Sequence, residues 1–183
     1  MDAIRAKPDH IIMRRPNLAG LPATEVPPGY TLRRFRPGDE KAWADLFAAA
    51  FPEMPEPRGI PQKVFLQDPA WLPDRVFFAC LKDVPVACCA AWEDPPAWGP
   101  RTGQVHWVAT MPGHLRRGLA RAVVVAALGW MRDRPYADAI LVTQTYRLAA
   151  IRLYLSLGFV PWLDAFPDMP ARWAVVAASL AQA

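Results

Sequence analysis

The sequence predicts an α/β domain with a mixed, mostly antiparallel central sheet and helices on both faces. Three observations favour this class. Short apolar segments with strand character are interleaved with amphipathic helical segments. The turn Lys82-Asp83 joins two of these strands as a hairpin. A strand–helix–strand unit over residues 104–143 predicts one parallel pair, because such crossovers return the chain beside the first strand.

Chain length and the distribution of proline indicate how the chain is organised. Its 183 residues are enough for one domain with a substantial core. Residues 1–29 are rich in proline and hold one short apolar patch, Ile11-Ile12-Met13. We expect this segment to be an arm that packs on the domain edge, or across a partner in a homodimer. Residues 30–183 are expected to form the single domain.

The first elements of the domain follow the arm. Alternation predicts a strand over residues 30–35, and Pro37-Gly38-Asp39 ends it. Gly38 or Asp39 can cap a helix, because the apolar residues that follow have helical spacing (Trp43, Leu46, Phe47 and Ala50). Prolines make residues 51–61 a loop, and a short helix is expected at 61–67.

Strands dominate the remainder of the chain. They are expected at residues 75–81, 84–92, 104–110, 139–143, 159–162 and 173–177. The segment 139–143 is continuously apolar, which is typical of a strand buried on both faces. A helix follows strand 104–110, and a second helix over 148–157 ends at Gly158, a residue suited to the left-handed conformation of a helix C-terminus.

Composition narrows the class of protein. The chain shows no signal-peptide pattern at its start, and its longest uncharged apolar run, 122–131, is about half the length that crosses a bilayer. Three cysteines without metal-ligand spacing argue against a disulfide scaffold or a zinc site (Cys80, Cys88 and Cys89). We expect a cytoplasmic protein with reduced thiols, no metal, and neither a membrane nor a nucleic acid as partner. Strand alternation predicts that Cys88 and Cys89 face opposite ways.

The loop 111–118, between strand 104–110 and the helix that follows, carries the strongest functional signal. A loop at a helix start presents unpaired N–H groups and the positive end of the helix dipole, which together favour phosphate. Arg116 and Arg117 add full charge, and Gly118 allows a phosphate to approach the backbone. We therefore expect this loop to bind a phosphorylated ligand.

The segment 108–120 resembles the pyrophosphate loop of the GCN5-related N-acetyltransferase family. The pattern of that loop is Arg/Gln-x-x-Gly-x-Gly/Ala, preceded by a strand and commonly by a proline. Gly118 and Ala120 match the pattern, and Pro112 is in place. Leu115 stands where the family has Arg or Gln.

A second segment, 147–159, resembles the family pattern Asn-x-x-Ala-x-x-x-Tyr-x-x-x-Gly-Phe. Ala150, Tyr154 and Gly158-Phe159 match at the family's spacing, and Arg147 replaces the Asn. The two motifs are about thirty residues apart and occur in the family's element order. Together they are more specific than either motif alone.

The resemblance covers about residues 30–178 and implies an acyl-CoA N-acyltransferase-like fold. It also implies acetyl-CoA or another acyl-CoA as donor, a small-molecule or peptide amine as acceptor, and direct attack of the amine on the thioester. In the family, the strand before the loop carries a bulge and splays from its neighbour, so that it can hold the pantetheine arm like an added strand. The residues expected to bind the donor are Val108, Ala109, Thr110, Leu115, Arg116, Arg117, Gly118, Leu119, Ala120 and Arg147.

Acyl transfer also needs a polarised carbonyl, a base for the amine and an acid for the leaving thiolate. A backbone N–H of strand residues 108–110 can polarise the carbonyl. Tyr154 is the candidate acid, because a phenol of pKa about 10 can donate at close range to a thiolate of pKa about 8.5; the alternative is a core aromatic. His106 is the candidate base, since it is predicted to share a face with Val108; the alternative is a hydrogen-bonded structural histidine.

Further side chains are weaker candidates. Glu93 and Asp94 are possible bases, and His114 is expected to contact solvent or phosphate. Five tryptophans either plug the core or line an acceptor pocket (Trp92, Trp98, Trp107, Trp162 and Trp173). Three carboxylates either attract a cationic amine or are simply solvated (Glu53, Glu56 and Asp168).

Other function classes compete with the enzyme. A CoA-binding regulator without turnover is compatible with the replacements at Leu115 and Arg147. A nucleic-acid-binding module is disfavoured, because the net charge of +4 is modest and no Lys/Arg run is interleaved with aromatics. A P-loop hydrolase is disfavoured because no Gly-Lys-Ser/Thr follows the loop.

Overall fold

The computed structural model describes residues 7–68 and 71–182, so residues 1–6 of the predicted arm lie outside it. The strands of this part are β1 (His10–Arg15), β2 (Tyr30–Arg34), β3 (Val76–Leu81), β4 (Val84–Glu93), β5 (Thr102–Thr110), β6 (Asp138–Gln144) and β7 (Val160–Pro161). Its α-helices are α1 (Glu40–Ala50), α2 (Pro95–Trp98), α3 (Leu119–Arg132), α4 (Leu148–Ser156) and α5 (Met169–Gln182), and Pro61–Leu66 forms a π-helix.

The strands form one mixed sheet in the order β2-β3-β4-β5-β6-β1-β7. The pair β5 and β6 is parallel, as the crossover through α3 predicts, and the other pairs are antiparallel. The predicted mixed, mostly antiparallel sheet is therefore confirmed. The mixture follows from the connections, since hairpins give antiparallel pairs and the helical crossover gives the parallel one.

Two apolar clusters cover the two faces of the sheet at β3, β4 and β5. One cluster joins α3 to alternate strand residues such as Phe77 and Cys89. The other joins α1 and the π-helix to the intervening residues, such as Phe78 and Cys88. Helices on both faces and opposite directions for the two neighbouring cysteines are thus confirmed, and strand alternation is the reason.

The predicted arm contains a strand of the sheet interior. Ile11, Ile12 and Met13 are completely buried, because β1 is paired with β6 on one side and β7 on the other. Packing at the domain edge is therefore wrong for residues 10–15. A run of three apolar residues is what a strand buried on both faces requires.

The last predicted strand is also wrong, because residues 173–177 lie within helix α5. The buried residues of α5 are Met169, Arg172, Trp173 and Val176, which have the i, i+3, i+4, i+7 spacing of a helical face. The run of apolar residues at 173–177 conceals that stripe, since alanine and valine on the exposed side are also apolar.

Candidate active site

The loop after β5 presents a row of free backbone amides. Leu115 makes the last backbone hydrogen bond before it, and the next belongs to Ala122, whose N–H donates to Gly118 O at 3.0 Å. Among the described residues, the N–H groups of 116–121 have no partner. Arg116 and Gly118 have positive φ angles of 58° and 80°. Left-handed residues in such a turn help consecutive amides converge on an anion.

The positive charge at this helix start is unbalanced. Arg116 and Arg117 are exposed and make no ion pair with the described residues. Cations near the positive end of a helix dipole destabilise it, so the arrangement favours an anion that offsets both. Leu115 is 54% exposed and adds only an apolar surface there.

A cavity of about 310 Å³ adjoins the amide row. It lies between the start of α3 and a segment of the predicted arm, and its lining residues are Glu25, Val26, Pro27, Pro28, Arg117, Gly118 and Arg121. The chain before β2 therefore forms one wall of the candidate ligand site, a role that its sequence did not signal.

Strands β5 and β6 diverge beside this loop. Their pairing covers Thr102–Gln104 of β5 only, although β5 continues to Thr110. Met111 N–H donates to Val86 O of β4 at 2.8 Å. Because successive residues of a strand direct their backbone groups to opposite sides, we infer that Val108 and Thr110 direct theirs toward the gap. A ligand can pair with this edge as an added strand would.

A β-bulge lies at the same place. The register between β4 and β5 passes from Cys88 and Ala109 to Ala90 and His106, which leaves one extra residue in β5. Trp107 has a φ of 49°, an uncommon conformation for a residue with a large side chain. The bulge and the divergence that the family resemblance implied are both present.

Helix α4 carries Tyr154 into the neighbourhood of Cys89 on β4 and of Arg147, and the C-terminus of the helix fixes its position. Phe159 N–H donates to Tyr154 O at 3.1 Å, and Gly158 N–H donates to Leu155 O at 3.0 Å. These two bonds and the Gly158 φ of 81° form the left-handed cap expected from the sequence. The number of residues between Tyr154 and Gly158-Phe159 is therefore set by the hydrogen bonds that close the end of the helix.

The Tyr154 side chain is 6% exposed. Its hydroxyl has no hydrogen-bond partner among the described residues, yet it is not one of the fully enclosed polar atoms. Burial, together with the neighbouring Cys89 thiol, raises the pKa of Tyr154 well above its usual value, while the Arg147 charge lowers it. The phenol consequently stays protonated at neutral pH.

The bulge separates His106 from Val108. His106 contacts Phe65 on the face of the sheet that carries α1, whereas Val108 packs on the opposite cluster. The expectation of a shared face is wrong, because the extra residue at Trp107 interrupts the alternation. Gln104 Nε2 donates to His106 Nδ1 at 3.1 Å. Burial lowers the pKa of His106 to about 4, so the ring is neutral at pH 7.

Arg147 lies at the N-terminus of α4 and connects several elements. It donates from Nε to Gln144 Oε1 at 2.6 Å and from Nη2 to Glu53 Oε1 at 2.9 Å. Its guanidinium carbon lies 5.2 Å from the centre of the Phe51 ring and 5.6 Å from that of Tyr146. The side chain thus faces the loop after α1.

The other predicted candidates have structural partners. Glu93 accepts hydrogen bonds from Arg75 and Tyr136; burial alone would raise its pKa, but these bonds lower it. Asp94 caps α2 by accepting from Ala97 N–H at 3.2 Å. Both lie at the opposite end of β4 and β5 from the amide loop. His114 is hydrogen-bonded to the Tyr30 hydroxyl at 2.9 Å, which ties the loop to β2.

Among the candidate tryptophans, Trp107 lies at the gap. Its ring centre is 5.4 Å from that of Phe47 and 5.7 Å from that of Phe51. Trp92 and Trp173 are core residues, and Trp98 contacts Trp162 away from the loop. The candidate carboxylates all have cationic partners, which are Arg147 for Glu53, Lys63 for Glu56 and Arg172 for Asp168.

Comparison with known proteins agrees with this geometry. The sequence model of the family described as the Acetyltransferase (GNAT) family matches residues 41–159. Among the described residues, no helix has the length and apolar character needed to span a membrane.

Two curated relatives, both named mycothiol acetyltransferase, come from Thermobispora bispora and Salinispora arenicola. The first is 35% identical over 161 residues, which is 82% of this chain and 53% of the relative. The second is 33% identical over 159 residues, which is 82% of this chain and 51% of the relative. This chain therefore spans about half the length of the curated relatives that it matches.

A solved structure has the same fold. It is a GCN5-related N-acetyltransferase from Sphaerobacter thermophilus, and the superposition has a TM-score of 0.65 at 25% identity. The match covers 83% of this chain and 48% of that one.

Proposed function

This chain belongs to the acetyltransferase (GNAT) family, and on that premise we propose that it transfers an acetyl group from acetyl-CoA to an amine. The observation that carries the proposal is the row of unpaired amides at residues 116–121, next to a strand edge that β6 leaves open. A diphosphate followed by a peptide-like arm is the ligand that matches both features.

We propose that the donor lies across three parts of the site. The amides of Gly118, Leu119 and Ala120, with the charges of Arg116 and Arg117, hold the diphosphate. Leu115 contributes its backbone and its exposed apolar side chain. The strand residues before the loop hold the pantetheine arm through the open edge (Val108, Ala109 and Thr110). The donor is a substrate here, and its acetyl group reaches the bulge at Trp107.

The proposed reaction is direct attack on the thioester. The amine nitrogen forms a bond to the carbonyl carbon, the C–S bond breaks, and its electron pair goes to sulfur. The Val108 N–H polarises the carbonyl oxygen, as an oxyanion-hole donor does. Tyr154 donates its hydroxyl hydrogen to the sulfur and regains a proton from solvent, while the amide nitrogen releases one, so that protons balance.

The geometry around His106 supports a structural role. Its Nδ1 already accepts from Gln104, so a neutral ring carries its hydrogen on Nε2 and offers no free lone pair. A pKa of about 4 also makes the ring a poor proton acceptor for an amine of pKa about 10.4. We therefore propose that the acceptor loses its proton to solvent before it attacks.

The names of the relatives support one class of acceptor. Both are named mycothiol acetyltransferase, and that name refers to a small molecule. We propose a small-molecule amine as the acceptor of this chain.

Thiol release from acetyl-CoA in the presence of an amine panel tests the proposal, with cofactor binding followed separately by thermal melting. We expect an acetyl-CoA-dependent melting shift and amine-dependent thiol release. A melting shift without release for every amine would indicate the CoA-binding regulator instead. If the protein shows neither a melting shift with acetyl-CoA nor thiol release, that result would contradict both functions.

A further inference from the structure

A group of side chains that the donor does not require connects the bulge residue Trp107 to the N-terminus of α4. We call it the mouth cluster, and its members are Phe51, Glu53, Trp107, Tyr146 and Arg147. Phe51 contacts the Trp107 ring, Arg147 lies near both the Phe51 and the Tyr146 rings, and the Arg147 charge influences Tyr154. We infer that the acceptor passes this cluster on its way to the thioester.

Arg147 is held in a fixed orientation within the mouth cluster. Its Nε donates a hydrogen bond to Gln144, and its guanidinium lies near both the Phe51 and the Tyr146 rings. The Nη1 atom has no hydrogen bond to the described residues and is not fully enclosed. The side of the Arg147 guanidinium that carries Nη1 and Nη2 can therefore donate two parallel N–H groups to a carboxylate.

Glu53 occupies part of this edge. Its carboxylate accepts from Nη2 at 2.9 Å, but its side chain is 53% exposed and lies on the loop after α1. An exposed ion pair of this kind contributes about 0.2–1 kcal/mol, so another carboxylate can displace it at small cost.

We propose that Arg147 binds a carboxylate of the acceptor, and that Glu53 occupies this position until the acceptor arrives. The acceptor class is then an amine with a carboxylate close by, such as an α-amino acid. This inference rests on the proposed function and narrows its substrate. It assigns Arg147 to the acceptor, whereas the family resemblance implied a donor contact at this position.

The test compares acetylation of the common α-amino acids with that of their amides and decarboxylated amines, for example leucine, leucinamide and 3-methylbutylamine. Each kcat/KM is corrected for the fraction of neutral amine. We expect the amino acid to be preferred by about tenfold, the effect of one charge-assisted interaction. Equal or better use of the decarboxylated amine would overturn the inference.

Two variants should change KM for the amino acid in opposite directions. Arg147→Gln should reduce the preference for the amino acid about tenfold through a higher KM. Glu53→Gln removes the internal competitor, so KM for the amino acid should fall by about twofold to threefold. A merely structural ion pair would make both variants change KM in the same direction, and that result would overturn the inference.

Lys63 and Glu56 supply the matched control, because they form an exposed ion pair of 2.6 Å in the same part of the chain but outside the mouth cluster. Lys63→Gln and Glu56→Gln should leave KM unchanged. If no amino acid is acetylated while another amine releases thiol, the inference fails and the proposed function stands. If no amine releases thiol, both fail.

Discussion

The loop after β5 and the mouth cluster, which we propose as the donor end and the acceptor end of the site, are built from different groups. At the proposed donor end, residues 116–121 present backbone amides, and the arginines beside them have no partner among the described residues. At the proposed acceptor end, the mouth cluster consists of side chains that already contact one another. Arg147 contacts Glu53, and Phe51 contacts Trp107.

This difference indicates how each end achieves selectivity. A row of amides is prepared before the ligand arrives, and it suits the diphosphate that every acyl-CoA shares. A cluster of paired side chains must exchange one partner for another, so it accepts only ligands that replace what is lost. We therefore propose that the donor end is general and that the acceptor end is selective.

The largest expected effect is at the amide row. Gly118→Glu introduces a side chain at a φ of 80° and a negative charge where we propose that the diphosphate binds. The loss of two charge-assisted hydrogen bonds, each worth about 1.5–3 kcal/mol, should lower acetyl-CoA affinity about a thousandfold. Isothermal titration measures this.

Gly113→Ala and Gly118→Ala provide a milder pair. Gly113 is exposed, has no positive φ and has open space around it, so its alanine variant should bind acetyl-CoA normally. The Gly118 variant should bind more weakly. Unchanged affinity in Gly118→Glu would show that the donor does not use this loop.

The next largest effect is expected on kcat when Tyr154, the proposed acid, is replaced. Tyr154→Phe should lower kcat about a hundredfold, because general acid catalysis contributes at least about that factor, while acetyl-CoA affinity stays within a few fold. Tyr136→Phe is the control, since its hydroxyl is hydrogen-bonded to Glu93 at the end of β4 and β5 that lies away from the amide loop. Equal kcat for Tyr154→Phe and the native protein would refute the acid role.

A smaller effect is expected from the charges beside the amide row. The double variant Arg116→Gln, Arg117→Gln should weaken acetyl-CoA binding about tenfold, and the loss should shrink as salt concentration rises. Arg132→Gln removes one positive charge at the far end of α3 and should have no effect. A donor affinity that is independent of salt would indicate that amides alone hold the diphosphate.

The smallest effect on activity is expected when His106 is replaced. The effect of His106 should appear instead in how the free energy of unfolding depends on pH. Its pKa is about 4 in the folded protein and about 6.5 when unfolded, so the unfolded chain binds an extra proton between these values. The free energy of unfolding should therefore fall as pH decreases from about 6.5 to 4. Urea unfolding at several pH values measures it.

His106→Gln should reduce that pH dependence and change kcat little, whereas His114→Gln should retain it. If His106→Gln lost activity as severely as Tyr154→Phe, the histidine would belong to the catalytic machinery and the acceptor would not rely on solvent as its base.

The sequence by itself determined the row of free amides that we assign to the donor. Gly118 after two arginines and before an apolar helix indicates an amide row because helix starts always leave N–H groups unpaired. Tyr154 and Gly158 are likewise set by local rules, since the left-handed helix end fixes their spacing. The hairpin, the crossover and the mixed sheet were predictable from the turn residues and from the periodicity of apolar residues along the chain.

Only the tertiary structure decided the rest. The bulge at Trp107 has no local signature, and it moved His106 to the other face from Val108. The strand His10–Arg15 is recognisable only through its neighbours β6 and β7. The pairing of Glu53 with Arg147 joins residues 94 positions apart, and no sequence pattern encodes such a contact. Backbone geometry depends on adjacent residues, whereas the acceptor end depends on side chains that meet after the chain has folded.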